Sequence, residues 1–423
     1  LVETDQLHAP TGAIAEAQAL AARCWGADET WFLVNGSTVG IQALVMAACP
    51  PGTGLALTRS SHMAVLGGAI LAGARPVFLS EVTEPGWDLP GPPDPVALDA
   101  AFASDPDLRA VLVTRPDYYG RVCDLGAIAA ICRRHDRLLL VDEAHGAHLG
   151  LAEGLPPSAL TCGADGVVQS THKLLSAFTQ ASMLHVRGPR LDCTRIRKVL
   201  RLLQSSSPSY LLLGSLDAAR DQVERDRGRS WGEAIALTDT ARKRLLRLGI
   251  PCLGPDHGPE GGWDPAKLVL DLVDTGLDGF ALADHLHAQG VVVELATPRY
   301  LVALVTPGLA SDALDHLIDG VVSAPRCASA LPWPGLPQPG PLACLPREAY
   351  LADSRTVTLA EAIGKVSAEF VCPYPPGIPA LIPGEVLTSE VTAYLEGLGR
   401  LGAEFIGPTD PTLKTIQVCD ARP

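Results

Sequence analysis

The strongest constraint on this fold is a regular alternation of short apolar strands and helical patterns through its first two hundred residues. Residues 13–24 carry helical spacing, 30–34 read as a short strand, and 39–49 as a helix. A strand at 54–58, a buried helix at 63–72 and a strand at 76–79 follow. A strand at 110–114, a helix at 125–135 and strands at 138–141 and 166–169 complete the series. Such alternation predicts an α/β domain on a mostly parallel sheet. In open sheets of this kind, ligands collect outside the carboxyl ends of the strands. The conspicuous polar residues here fall at such ends: Asn35-Gly36-Ser37-Thr38, His62, the 115–120 loop, Asp142-Glu143-Ala144-His145-Gly146 and Ser170-Thr171-His172-Lys173.

Beyond this region, 195–203 and 215–248 read as helices. Strands at 268–272, 291–295 and 301–306 with a helix at 279–289 predict a smaller α/β unit. The stretch 324–346 is dense in proline and has little periodicity. The expected organisation is a large α/β domain at 1–230, a small one at 231–325, a proline-rich linker at 326–356 and a C-terminal domain at 357–423.

Composition narrows the function classes. With 47% hydrophobic residues in 423, the chain has enough apolar surface for a large core. A net charge of −14 disfavours a nucleic-acid partner, because phosphate backbones require clustered Lys and Arg. The eleven cysteines include no CxxC pair and fit no disulfide framework, which points to a reduced, cytoplasmic setting, with an organelle such as a plastid as the alternative. The apolar run 63–74 is too short to span a bilayer. The chain starts at Leu1 with no basic-then-apolar leader, which reads as a processed or truncated product.

Four positions carry candidate chemistry. Ser37 and Thr38 open a helix, where N–H groups and the helix dipole favour a phosphate; a plain Ser/Thr N-cap is the alternative. Asp142 ends an apolar strand, where a carboxylate suits a base, a metal or a ring nitrogen. Asp142-Glu143-Ala144-His145 also matches a helicase box, but the chain has no GxxxxGK[ST] phosphate loop to support it. Glu143, His145 and His148 as metal ligands lack a third histidine with suitable spacing. Lys173 is one of only six lysines, and follows an apolar strand beside His172, where desolvation favours an amine nucleophile. His62 follows the strand at 54–58 and offers a flat ring. A phosphate seat, a carboxylate for a pyridinium, a Schiff-base lysine and a stacking ring together describe one cofactor, pyridoxal 5'-phosphate.

At these residues the chain resembles the fold type I (aspartate-aminotransferase-like) Orn/Lys/Arg decarboxylases. The likeness rests on Leu7-His8-Ala9-Pro10-Thr11-Gly12, Phe32-Leu33-Val34-Asn35-Gly36-Ser37-Thr38, Val141-Asp142-Glu143-Ala144-His145-Gly146 and Gln169-Ser170-Thr171-His172-Lys173. Thr179-Gln180-Ala181-Ser182 and the loop at 373–379 with Pro383-Gly384-Glu385 extend it over nearly the whole chain. The resemblance implies that Lys173 carries the cofactor, Asp142 pairs with its ring nitrogen, His62 stacks on one face and Ala144 packs on the other. It implies Ser37, Thr38, Ser170 and His172 as the phosphate seat, and His62 or Lys173 as the proton donor.

The implied reaction is α-decarboxylation of a basic amino acid. Arginine is favoured, giving agmatine for polyamine synthesis, with lysine and ornithine as alternatives. An aminotransferase or aldol-type lyase of the same fold, or a non-catalytic homologue, stays open. The implied assembly is a homodimer or higher homo-oligomer. Three departures stand out. The family's Pro-Gly-His-Lys segment would lie upstream of Leu7. His62-Met63-Ala64 replaces His-Lys-Ser. Pro116-Asp117-Tyr118 replaces Pro-Thr-Tyr, adding a carboxylate expected near the cofactor.

Overall fold

The computed structural model describes residues 5–84, 86–87, 89–255, 262–310, 312–326 and 337–420. They form two compact units, one of residues 1–117 and 121–229, the other of 118–120 and 230–423.

The first unit runs α1 (Ala13–Trp25), β1 (Glu29–Leu33), α2 (Gly36–Ala48), β2 (Gly54–Leu57), α3 (Met63–Ala72), β3 (Arg75–Phe78), α4 (Pro95–Ser104) and β4 (Leu108–Thr114). It continues with α5 (Leu125–Arg134), β5 (Leu138–Asp142), β6 (Gly166–Gln169), α6 (Thr171–Leu174), β7 (Ser182–Val186), α7 (Cys193–Leu203) and α8 (Tyr210–Asp226). Its seven-stranded sheet has the order β1-β7-β6-β5-β4-β2-β3. Pairings from β3 through β2, β4 and β5 to β6 are parallel, and β7 alone runs against its neighbours β6 and β1. The mostly parallel α/β sheet agrees with the sequence pattern.

The central strands are buried on both faces, so they read as continuous apolar runs rather than alternating ones. Val111, Val113, Leu139, Val141 and Val167 share one core with Phe32, Leu98 and Phe102. On another side α2 approaches the sheet through Gly40. A Cβ there would lie 2.6 Å from Leu33 Cδ1 and 2.9 Å from Val168 Cγ1. That close approach brings the first turn of α2 down onto the strand ends. The exposed edge of β1 is blunted by side chains, since Gln18 Oε1 accepts the Phe32 N–H and Gln204 Oε1 the Val34 N–H, both at 2.9 Å.

Two expectations change and two elements are added. The helix read at 215–248 is two helices, α8 and a following one, broken where Arg227 (φ 52) and Gly228 (φ 80) turn left-handed. A Cβ at Gly228 would stand 2.4 Å from the Leu151 carbonyl oxygen, so periodicity carried past a glycine that the packing requires. Helix α4 and strand β7 carried no signal recognised in the sequence. Strand 291–295 reduces to a two-residue pairing at Leu295–Ala296, and Val292 is exposed.

The second unit contains α9 (Arg229–Arg247), β8 (Cys252–Leu253), β9 (Lys267–Asp271), α10 (Gly279–Ala288), β10 (Leu295–Ala296), β11 (Tyr300–Leu304) and α11 (Ala313–Ser323). These strands form an antiparallel sheet of order β10-β11-β9-β8. Next come α12 (Pro346–Leu351), β12 (Ser354–Thr358), β13 (Cys372–Tyr374), α13 (Ser389–Arg400), β14 (Glu404–Ile406) and β15 (Thr415–Cys419). β12 pairs with β15 and β13 with β14 over a core of Val371, Leu381, Leu395 and Ile416. Of the expected linker 326–356, residues 327–336 with Cys327 lie outside the described residues, while α12 and part of β12 occupy its end. Among the described residues no helix is long and apolar enough to cross a membrane, and all ten cysteines are free thiols.

Candidate active site

The carboxyl ends of β2, β5 and β6 and the start of α2 carry the expected residues, all in the first unit. Asp142 is the last residue of β5 and is buried. Its Oδ1 accepts the Ala144 N–H at 3.1 Å, which ties the following turn back onto the strand. Burial raises its pKa above the ordinary carboxylate value, opposed by the Ala144 hydrogen bond and the Lys173 charge.

His62 precedes α3 as its N-cap, with Nδ1 accepting the Ala64 N–H at 3.1 Å. That bond fixes the tautomer, leaving the proton on Nε2. Desolvation, helped by Lys173, pushes the imidazole down to about 4, so His62 is neutral at pH 7.

Ser170 follows β6, and its hydroxyl donates to Ser37 Oγ at 2.9 Å. Ser37 and Thr38 lie in the first turn of α2, with Thr38 exposed. Neither is the N-cap: that position is Asn35, and no side chain caps the helix. The Ser/Thr-cap alternative is therefore replaced by an uncapped helix start beside two hydroxyls. Lys173 sits on the one-turn helix α6 rather than at the strand end, and is exposed. Its Nζ lies 3.0 Å from His145 Nε2. His172 Nδ1 donates to the Ala181 carbonyl at 2.9 Å, and burial with the Lys173 charge lowers its pKa. Ala144 is half-buried two residues beyond Asp142.

One feature went unrecognised in the sequence. Behind the strand ends runs a buried polar chain. Thr30 Oγ1 and His185 Nδ1 are 2.8 Å apart, and His185 Nε2 lies 3.2 Å from Gln169 Oε1. Gln169 Nε2 donates to Glu143 Oε2 at 2.7 Å. Glu143 Oε1 accepts the Ala159 N–H at 2.8 Å and lies 3.7 Å from Arg115 Nη1. The chain links β1, β7, β6 and the turn after β5, and so holds the strands bearing Asp142 and Ser170 in register. Among the described residues no group of three His, Cys, Asp or Glu could hold a metal, and Glu143 is engaged in this chain instead.

Asp117 is engaged by its own loop. Its Oδ2 accepts Arg121 Nε at 2.6 Å and its Oδ1 accepts the Arg121 N–H at 2.9 Å, while Arg121 also lies over the Trp87 ring. The added carboxylate is bound within its own loop by a buried guanidinium.

Desolvation outweighs Arg115 and lifts Glu143 to about 7. Because this pKa is raised on folding, Glu143 contributes stability that is full below pH 4.5 and lost as pH rises through about 7. Neutralising it should cost little. Glu143→Gln is expected to destabilise by about 1 kcal/mol and to remove that pH-dependent loss. Glu143→Ala, which removes the acceptor of the Ala159 N–H and of the Gln169 amide and the carboxylate beside Arg115, is expected to cost about 3–5 kcal/mol. Urea unfolding of both variants between pH 4.5 and about 7 checks this.

The donor set fits a phosphorylated pyridine. An uncapped helix start with two hydroxyls suits a phosphate, a buried carboxylate that among the described residues accepts the Ala144 N–H suits a protonated ring nitrogen, and the Lys173 amine is coupled to that carboxylate. Fold and site define a fold type I pyridoxal phosphate enzyme.

Residues 1–252 match the Orn/Lys/Arg decarboxylase major domain, and 342–410 the C-terminal domain of the same family. An arginine decarboxylase of Bacillus subtilis (strain 168) is 34% identical over 98% of this chain and 87% of its own length. An arginine decarboxylase of Halalkalibacterium halodurans is 33% identical over the same shares. Among solved structures, lysine decarboxylase A from Pseudomonas aeruginosa shares the fold with a TM-score of 0.83 at 22% identity, over 98% of this chain and 72% of that one. The chain belongs to the Orn/Lys/Arg decarboxylase family, and is a pyridoxal phosphate-dependent carboxy-lyase.

Proposed function

We propose that the chain decarboxylates arginine at its α-carbon, releasing CO2 and leaving agmatine, and so feeds polyamine synthesis. The observation that carries the choice of substrate is the near-full-length likeness to two arginine decarboxylases at 33–34% identity. The lysine decarboxylase LdcA of Pseudomonas aeruginosa is 25% identical over 91% of this chain.

When bound, pyridoxal phosphate supplies an electron sink for the α-carbon as its carboxylate leaves. Lys173 would hold the cofactor through its amine. Asp142, kept dry at the end of β5, would pair with the ring nitrogen and stabilise positive charge there. The first turn of α2 with Ser37 and Thr38, together with Ser170 and His172, would seat the phosphate. His172 already donates from Nδ1, so it reaches an anion only through Nε2, and must be protonated to donate there. His62 would offer a neutral ring for stacking, and Ala144 would leave room for the other face. Because burial and the Lys173 charge lower the pKa of His62, Lys173 is the better candidate of the two to supply the proton to the α-carbon. The working form is a cytoplasmic homodimer or larger homo-oligomer, and residues 231–325 and 357–423 act as separate domains.

The test is CO2 release from arginine, lysine and ornithine in parallel, with pyridoxal phosphate added. Arginine is expected to be turned over with the highest kcat/KM. Preference for lysine or ornithine would overturn the substrate assignment. Release of a keto acid or aldehyde without CO2 would overturn the reaction.

A further inference from the structure

His145 is buried on the turn after β5 and places its Nε2 3.0 Å from Lys173 Nζ. An ammonium only donates, so at that distance the imidazole presents a lone pair to it, with its own proton on Nδ1. Asp142 from β5, His62 before α3 and His172 on its own turn are also coupled electrostatically to Lys173. His62 directs Nδ1 to the Ala64 N–H and His172 directs Nδ1 to the Ala181 carbonyl, while Asp142 accepts the Ala144 N–H. His145 Nε2 lies within hydrogen-bond distance of the Lys173 amine.

We propose that His145 is the proton acceptor for the Lys173 amine, passing one proton between Nζ and Nε2 in either direction. Forward, an Nζ–H bond breaks and an Nε2–H bond forms. The positive charge passes from ammonium to imidazole, and Nζ keeps its lone pair as a nucleophile. In reverse, His145 returns the proton and restores the ammonium as an acid. No electrons change hands and no co-reactant is needed. The role matters because an ordinary lysine is almost wholly protonated at neutral pH and so lacks a nucleophilic lone pair. The inference rests on the assignment of Lys173 as the cofactor-bearing amine.

The test is arylation of Lys173 by trinitrobenzenesulfonate in the full chain without added cofactor, from about pH 6 to about pH 10, with the modified peptide quantified by mass spectrometry. His145→Gln keeps a hydrogen-bond acceptor but cannot hold the proton. Its arylation at neutral pH is expected to be about tenfold slower than wild type, with the low-pH limb of the profile gone. Thermal unfolding is followed alongside; if His145→Gln does not fold, His145→Asn, with the same amide chemistry, takes its place. A profile that superposes on wild type in the folded variant overturns the proposal. Lys173→Ala separates the two readings. If it still binds cofactor covalently and releases CO2 while the wild-type profile depends on His145, the functional assignment of Lys173 fails and the proton transfer stands. If Lys173→Ala abolishes both and the profile ignores His145, the proton transfer alone fails.

Discussion

Replacing Lys173 with alanine is expected to lower CO2 release about ten-thousandfold or more, with no loss of fold. The side chain is exposed, so its removal opens no cavity, and stability should change by no more than about 0.5 kcal/mol. Activity is expected to fall because, in the proposed mechanism, one amine both anchors the cofactor and supplies the proton. His62 is held near 4 and is unprotonated at neutral pH. The same variant has a signature apart from activity. Lys173 pulls down the pKa of both His62 and His172, so both should titrate at higher pH once it is gone. Imidazole resonances followed by NMR against pH check this. Unchanged histidine titrations would show that Lys173 does not lie beside these rings.

Asp142→Asn is expected to reduce kcat about a hundredfold to a thousandfold while leaving the protein as stable as wild type, or more so. The amide oxygen can still accept the Ala144 N–H, so the turn after β5 keeps its tie. What disappears is a buried charge. Because folding raises the Asp142 pKa above 3.8, its contribution to stability is full below pH 3.8 and lost as pH rises through the raised value. The variant escapes that loss. Urea midpoints above pH 3.8 should therefore match or exceed wild type while turnover collapses. A variant with wild-type kcat would remove Asp142 from the chemistry, and a strongly destabilised one would make it a structural residue.

The sequence made the strand ends legible because local signals coincide there. An apolar run of four or five residues followed by Asp142, or by Ser170 and Lys173, announces both the strand and the polar turn beyond it. Contacts between residues distant in sequence had no such signal. Thr30 and His185 are 155 residues apart, and nothing near either marks them as partners. The reversal of β7 is equally silent, since antiparallel and parallel strands buried on both faces carry the same apolar run. Asp117 stood out as a departure from a family pattern. Its use depended on Arg121, four residues on, folding back over Trp87. His145 was legible as a histidine in a motif, but its meeting with Lys173 requires β5 and β6 to be neighbours. The net charge of −14 suits a cationic substrate without identifying one.

The most direct test of the account is to load the full chain with pyridoxal phosphate, reduce it with borohydride, and map the lysine that retains the pyridoxyl group. The account predicts a single modified peptide carrying Lys173. Modification of Lys198, Lys243, Lys267, Lys365 or Lys414 instead, or of none, would contradict it.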